Sequence, residues 1–184
     1  MTLYPLTPED YAAVQDRFND FGRTDANIIL TSGHADERVF PSVVHNLNVQ
    51  AIPFRHFDCP GREDYTNLVR DLYEEGEPFI LVEQDILPWP GALFELWDCD
   101  CAWGGFSYLW NGVLAHWLGC TKFVPNELPS LEGPWMGAQP DRLDFDGGPD
   151  AFILHALRAE GLEYHLHGPP VVNLHTGHRR HMMA

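Results

Sequence analysis

Glu83 and Asp85 stand one residue apart at the end of the apolar run Pro78-Phe-Ile-Leu-Val82. That run reads as a short strand covered on both faces, as in a parallel sheet. Open α/β sheets bind ligands outside the carboxyl ends of such strands. Two carboxylates there suit a hard divalent cation and, through it, a diphosphate. The plainer alternative is that Asp85 only caps the turn before Pro88-Trp-Pro90. On the acids alone no enzyme can be named.

The elements that would position this pair are legible along the chain. Thr7 and Pro8 open an amphipathic helix running to Phe18. Asn27 to Ser32 reads as a first core strand, ending at Ser32-Gly33-His34. A helix is expected around Asp36 to Asn46, with Pro41 interrupting it or marking its start. Val49 to Phe54 reads as a second strand, placed near an edge by Pro53. Arg62 to Glu75 predicts a helix with Tyr65, Leu68, Val69 and Leu72 on one stripe and Gly76 at its end. The third strand is the PFILV run itself, followed by a short helix from Gly91 to Trp97. Strand and helix in alternation predict an α/β sheet with right-handed crossovers.

Beyond Asp98 the pattern changes. Ala102–Tyr108 and Leu118–Val124 read as strands around a short segment, Asn111 to Trp117. A long Pro- and Gly-rich loop follows, from 125 to 149, and holds Trp135. Asp150 to Glu160 predicts a last helix closed by Gly161, and Tyr164–His167 and Val171–His175 read as short extended pieces.

Composition narrows the function classes. A chain of 184 residues, 45% apolar, is long enough for one well-buried domain. No apolar run is long enough to span a bilayer, and Met1-Thr-Leu-Tyr-Pro lacks the layout of a signal peptide, so a cytoplasmic protein without a membrane partner is expected. The net charge of −16 disfavours general nucleic-acid binding. Lys122 is the only lysine, and Arg179-Arg180-His181 is the only dense basic cluster. Cys59, Cys99, Cys101 and Cys120 read as free, packed thiols. The alternative is a structural zinc on Cys99, Cys101, Cys120 and a histidine. Neither G-x-G-x-x-G nor G-x-x-x-x-G-K-[ST] occurs, which removes support for a dinucleotide oxidoreductase or a P-loop kinase.

With these pieces in order, the sequence resembles a small glycosyltransferase of the GT-A type. Three places carry the resemblance: Glu83-Gln84-Asp85 at a strand end, the acid-bearing helix Pro149-Asp150 to Gly161, and Pro170-Val-Val-Asn-Leu-His175 late in the chain. It departs from the family pattern in having Glu83 where Asp is usual and Pro149 where an acid is common. The resemblance implies a GT-A-like, Rossmann-type, mostly parallel sheet flanked by helices in a single compact domain. The nucleotide-sugar part would span about 24–98 and the acceptor part about 99–178. It also implies Asp85 and His175 as ligands of Mn²⁺ or Mg²⁺, and Asp150 as catalytic base of an inverting enzyme. Thr31, Ser32, Gly33, Glu83 and Asp85 would meet the nucleotide-sugar donor.

The chemistry of such a transfer agrees with those residue types. The departing diphosphate needs its charge neutralised. The acceptor hydroxyl must lose a proton to a positioned group. Glu83 would contact ribose, sugar or a metal-bound water. Asp150 has the alternative role of a first-turn acid that stabilises its helix, and Asp144 and Asp146 are neighbouring base candidates. The acceptor hydroxyl would belong to a small molecule, a glycan or a hydroxylated pyrimidine in DNA. Two other readings stand beside this one: a nucleotide-sugar-binding protein without turnover, and a metallohydrolase built on His165, His167 and His175. Trp103, Tyr108 and Trp110 read as core and cleft wall.

Overall fold

A computed structural model describes residues 27–33, 40–110, 113–115, 118–131 and 149–174. Its strands are β1 (Ile28–Ser32), β2 (Arg55–Asp58), β3 (Phe79–Glu83), β4 (Ile86–Leu87), β5 (Trp103–Trp110), β6 (Val113–Ala115), β7 (Cys120–Phe123) and β8 (His165–Asn173). The helices are α1 (Phe40–Val49), α2 (Arg62–Glu75), α3 (Ala92–Asp98) and α4 (Pro149–Ala159). A 3₁₀ turn covers Pro125–Glu127.

The strands form one sheet in the order β2-β1-β3-β7-β5-β8-β4, with β6 added to β5. An α/β fold is therefore present, but the sheet is mixed rather than mostly parallel. Among the described residues β1 pairs parallel with β2 and β3, and β5 with β8. The pairs β3–β7, β5–β7, β5–β6 and β4–β8 are antiparallel. The cause is β7, which turns back between β3 and β5 and reverses direction in the middle of the sheet.

Helices cover both faces. On one, Val43 and Leu47 of α1 and Leu93 and Leu96 of α3 pack on Ile28, Leu30, Ile80, Val82 and Phe106. On the other, Val69 and Leu72 of α2 and Ile153 and Leu157 of α4 pack on Ile29, Phe79, Leu81 and Phe123. Alternate residues of β1 and β3 thus serve opposite cores, which is why these strands are apolar throughout. Helix α2 starts at Gly61, whose N–H is taken by Asp64 at 3.0 Å. It stops at Gly76, in the left-handed region at φ 82°.

One expected element runs on further and another sits elsewhere. Helix α1 is described over Phe40–Val49, so Pro41 lies within it and it runs on past Asn46 through Val49. The segment from Val49 to Phe54 is therefore helix end and turn, with Ala51 at φ 54°, and the second strand is Arg55–Asp58. The two extended pieces near the end are one strand, β8, whose pairing with β5 shifts register between Phe106 and Tyr108. The helix expected before Phe18 and the loop residue Trp135 lie outside the described residues.

Burial sets an alkaline limit on this core. Burial pushes the thiol of Cys120 up to about 12 and, as the largest cause, that of Cys59 to about 11. The phenol of Tyr73 rises to about 12 for the same reason. In the unfolded chain these groups lose their protons near their ordinary values of 9.0 and 10.0, while the folded chain keeps them. The unfolded state therefore binds fewer protons above pH 9, and stability falls as pH rises from 9 towards 12. Each such group contributes about 1.4 kcal/mol per pH unit inside its window. Melting curves between pH 8 and 11 should show a steepening fall, shallower in Cys120→Ala. A flat profile across that range contradicts the assignment.

Candidate functional site

The order β2-β1-β3 defines where a ligand can enter the parallel part of the sheet. From β1 the chain crosses by α1 to β2 on one side; from β2 it crosses by α2 to β3 on the other. The crevice of such a switch lies outside the carboxyl ends of the two strands that diverge, here β1 and β3. Those ends are Thr31-Ser32-Gly33 and Glu83-Gln84-Asp85, with Thr31 directly beside Glu83 in the ladder.

Hydrogen bonds join the two ends. The Gln84 side chain accepts the N–H of Gly33 at 2.5 Å. Cys59 donates its N–H to the Ser32 carbonyl at 2.6 Å, which fixes the chain leaving β2 against the chain leaving β1. A Cβ on Gly33 would stand 2.9 Å from the Cys59 carbonyl oxygen, so only glycine fits there. Tyr65 of α2 donates its hydroxyl to Oε1 of Glu83 at 2.7 Å. That bond fixes Glu83 and occupies one of its oxygens. Asp85 is buried, at 8% exposure.

Ser32, His56 and Asp58 also meet here, and their proton directions matter. Ser32 Oγ donates to Asp58 Oδ1 at 3.1 Å and lies 2.8 Å from His56 Nε2. The hydroxyl has one proton, and the carboxylate takes it, so His56 Nε2 must be the donor to Ser32. An imidazole that donates to a serine cannot deprotonate it. The trio is a brace between β1 and β2, not a nucleophile with its base.

The end of β8 reaches the same turn from the other side. Ile86 pairs with Asn173 and Leu87 with Val172, and the N–H of Leu174 binds the Asp85 carbonyl at 2.8 Å. The late strand and the acid-x-acid turn, far apart in sequence, are neighbours. His175 itself lies outside the described residues, as do His34, Asp144 and Asp146. Asp150 is the second residue of α4, in its first turn. Trp103 and Tyr108 are core residues.

The carboxylates fit a hard divalent cation by chemistry: oxygen donors alone, at a turn held by Tyr65 and by the end of β8.

A second group of polar side chains gathers nearer the other end of the sheet. His165 and His167 share a face of β8, as their alternation predicts, and meet the end of α3. Cys99 Sγ and one ring nitrogen from each histidine lie within 4.8 Å of one another. His167 Nδ1 is 3.1 Å from Glu95 Oε1. Lys122, buried at 6% exposure, donates to the Trp97 and Cys99 carbonyls at 3.0 and 2.5 Å. Sequence reasoning paired Cys99 with Cys101 and Cys120, and His165 and His167 with His175. Within the described residues the grouping is instead one cysteine with two histidines. Cys120 is fully buried, and all four cysteines are free. No spacing rule finds this set, because its parts come from a helix end and a distant strand.

Compared with known proteins, this chain matches no family model, no curated protein and no solved structure. Among the described residues no helix is long and apolar enough to cross a membrane.

Proposed function

We propose that the protein transfers a sugar from a nucleoside-diphosphate sugar to an acceptor hydroxyl, using a divalent cation of the Mg²⁺ or Mn²⁺ type. The observation that supports this most is the meeting of three strand ends at Asp85. The carboxyl ends of β1 and β3 form the switch-point crevice, and Leu174 at the end of β8 is bonded to the Asp85 backbone. The GT-A-type resemblance asks for that juxtaposition of acid-x-acid turn and late strand.

In this reading Ser32 and Gly33 face the donor from β1, and Asp85 holds the cation. When bound, the cation neutralises charge growing on the departing diphosphate. Glu83, fixed by Tyr65, orients the donor's ribose or sugar. Asp150 takes the proton of the acceptor hydroxyl as it attacks. The acceptor hydroxyl belongs to a small molecule, a glycan or a hydroxylated pyrimidine.

A thermal-shift panel of UDP- and GDP-sugars with Mn²⁺ tests this. A donor present at a hundred times its Kd stabilises by about 2.7 kcal/mol, or about 5–10 °C for a chain of this size. At least one donor should give such a rise and should release nucleoside diphosphate when an acceptor is supplied. A rise without release points to a binding protein. The absence of any rise across the panel removes the nucleotide-sugar reading altogether.

A further inference from the structure

We propose that Cys99, His165 and His167 form a zinc-type metal site, separate from the carboxylate turn, that ties the end of α3 to the start of β8. One sulfur and two imidazole nitrogens make a borderline-soft donor set, the kind that selects Zn²⁺ over Mg²⁺ or Ca²⁺. Their atoms already lie within 4.8 Å of one another, close enough for a shared ion to draw them in.

The state of His167 points to a ligand. The side chain is nine-tenths buried, and Nδ1 faces the Glu95 carboxylate at 3.1 Å. A carboxylate accepts, so Nδ1 carries the proton and Nε2 presents its lone pair. Nε2 is buried and has no hydrogen-bond partner among the described residues. Buried acceptors are ordinarily satisfied. A metal ion on Nε2 satisfies this one, and carboxylate, imidazole and metal in series is the usual way a histidine ligand is oriented.

The surroundings hold the sulfur in place. The Cys101 N–H donates to Cys99 Sγ at 3.3 Å. The Lys122 ammonium donates to the Cys99 carbonyl, which fixes the backbone of the ligand. Room for His165 comes from Gly104, its partner in the ladder. A Cβ there would run into the His165 backbone and stand 3.2 Å from Cys101 Sγ. On binding, Cys99 gives its proton to solvent and the sulfur donates a lone pair to the ion, with no change of oxidation state. Three protein ligands leave a fourth position for water.

The site lies at the level of Gly104, towards the amino ends of β5 and β8, whereas Glu83 and Asp85 lie at the carboxyl end of β3. Its role is structural bracing, and it stands whether or not the protein transfers sugars.

The test uses the full chain, stripped with a chelator and titrated with Co²⁺ and then Zn²⁺. One equivalent of Co²⁺ should give a near-ultraviolet thiolate-to-cobalt band with visible bands of a tetrahedral ion, both displaced by Zn²⁺. Cys99→Ser should abolish the charge-transfer band, and His167→Ala should weaken Zn²⁺ binding about a hundredfold or more. The mild change Glu95→Gln, which leaves every ligand in place, should weaken it about 10–100-fold. Asp85→Asn should leave the cobalt band as in the parent chain. Absence of the band in the parent chain, or a band that survives Cys99→Ser, overturns the proposal.

Discussion

Replacing Asp85 by Asn is expected to abolish the Mn²⁺-dependent rise in melting temperature and to lower sugar transfer by about a thousandfold or more. The substitution keeps the size of the side chain and removes the charge. A cation that neutralises a leaving diphosphate supplies several kcal/mol to the transition state, and each 1.36 kcal/mol is about tenfold in rate. The bond from Leu174 should survive the substitution, because it uses the Asp85 backbone carbonyl. Transfer within tenfold of the parent protein would remove Asp85 from the site. Asp150→Asn makes the matched comparison: the donor-dependent rise stays, while turnover falls by about 10²–10⁴. If both variants lose the rise, Asp150 acts in donor binding and not as the base.

The largest effect on stability is expected from Gly105→Ala, in β5. A Cβ at that position would overlap the Cys120 carbonyl oxygen and the Tyr164 hydroxyl, and stand 2.9 Å from the Thr121 Cα. Two of these three atoms belong to the backbone of β7, which is held by β3 on one side and β5 on the other. Relief would need the central strand to move, so a cost of at least about 3 kcal/mol is expected. That is a large share of the 5–15 kcal/mol typical of a domain. Urea denaturation measures it directly. Tyr164→Phe in the same chain removes one obstacle and leaves the backbone ones, so it should restore little. Full rescue by Tyr164→Phe would show that β7 yields more readily than its pairing implies.

What could be read from the sequence follows how local each signal is. Helix α2 is bounded by glycines at both ends with an acid reaching back to the first, so its limits were legible. Strand β3 announced itself through an uninterrupted apolar run, because both of its faces are buried. Strand β2 did not, since it is an edge strand, Arg-His-Phe-Asp, with no buried residue. The apolar stretch from Val49 to Phe54 mimicked a strand, yet Val49 ends α1 at 45% exposure and Ile52 packs inward from a turn. The mixed sheet was hidden because the direction of β7 depends on pairing and not on composition. At the carboxylate turn, the acids were visible as a motif, while the Tyr65 bond to Glu83 depends on how α2 docks. The grouping of Cys99 with His165 and His167 required the fold itself.

Lys122 has a practical consequence. It is the only lysine in these 184 residues, and its ammonium is buried against two carbonyl oxygens. An acylating reagent therefore meets no accessible lysine side chain on the native molecule. Modification at position 122 must wait for the sheet to open, so its rate under native conditions counts excursions to the open state. The chain has a built-in reporter of its own unfolding, readable by mass without any engineered label.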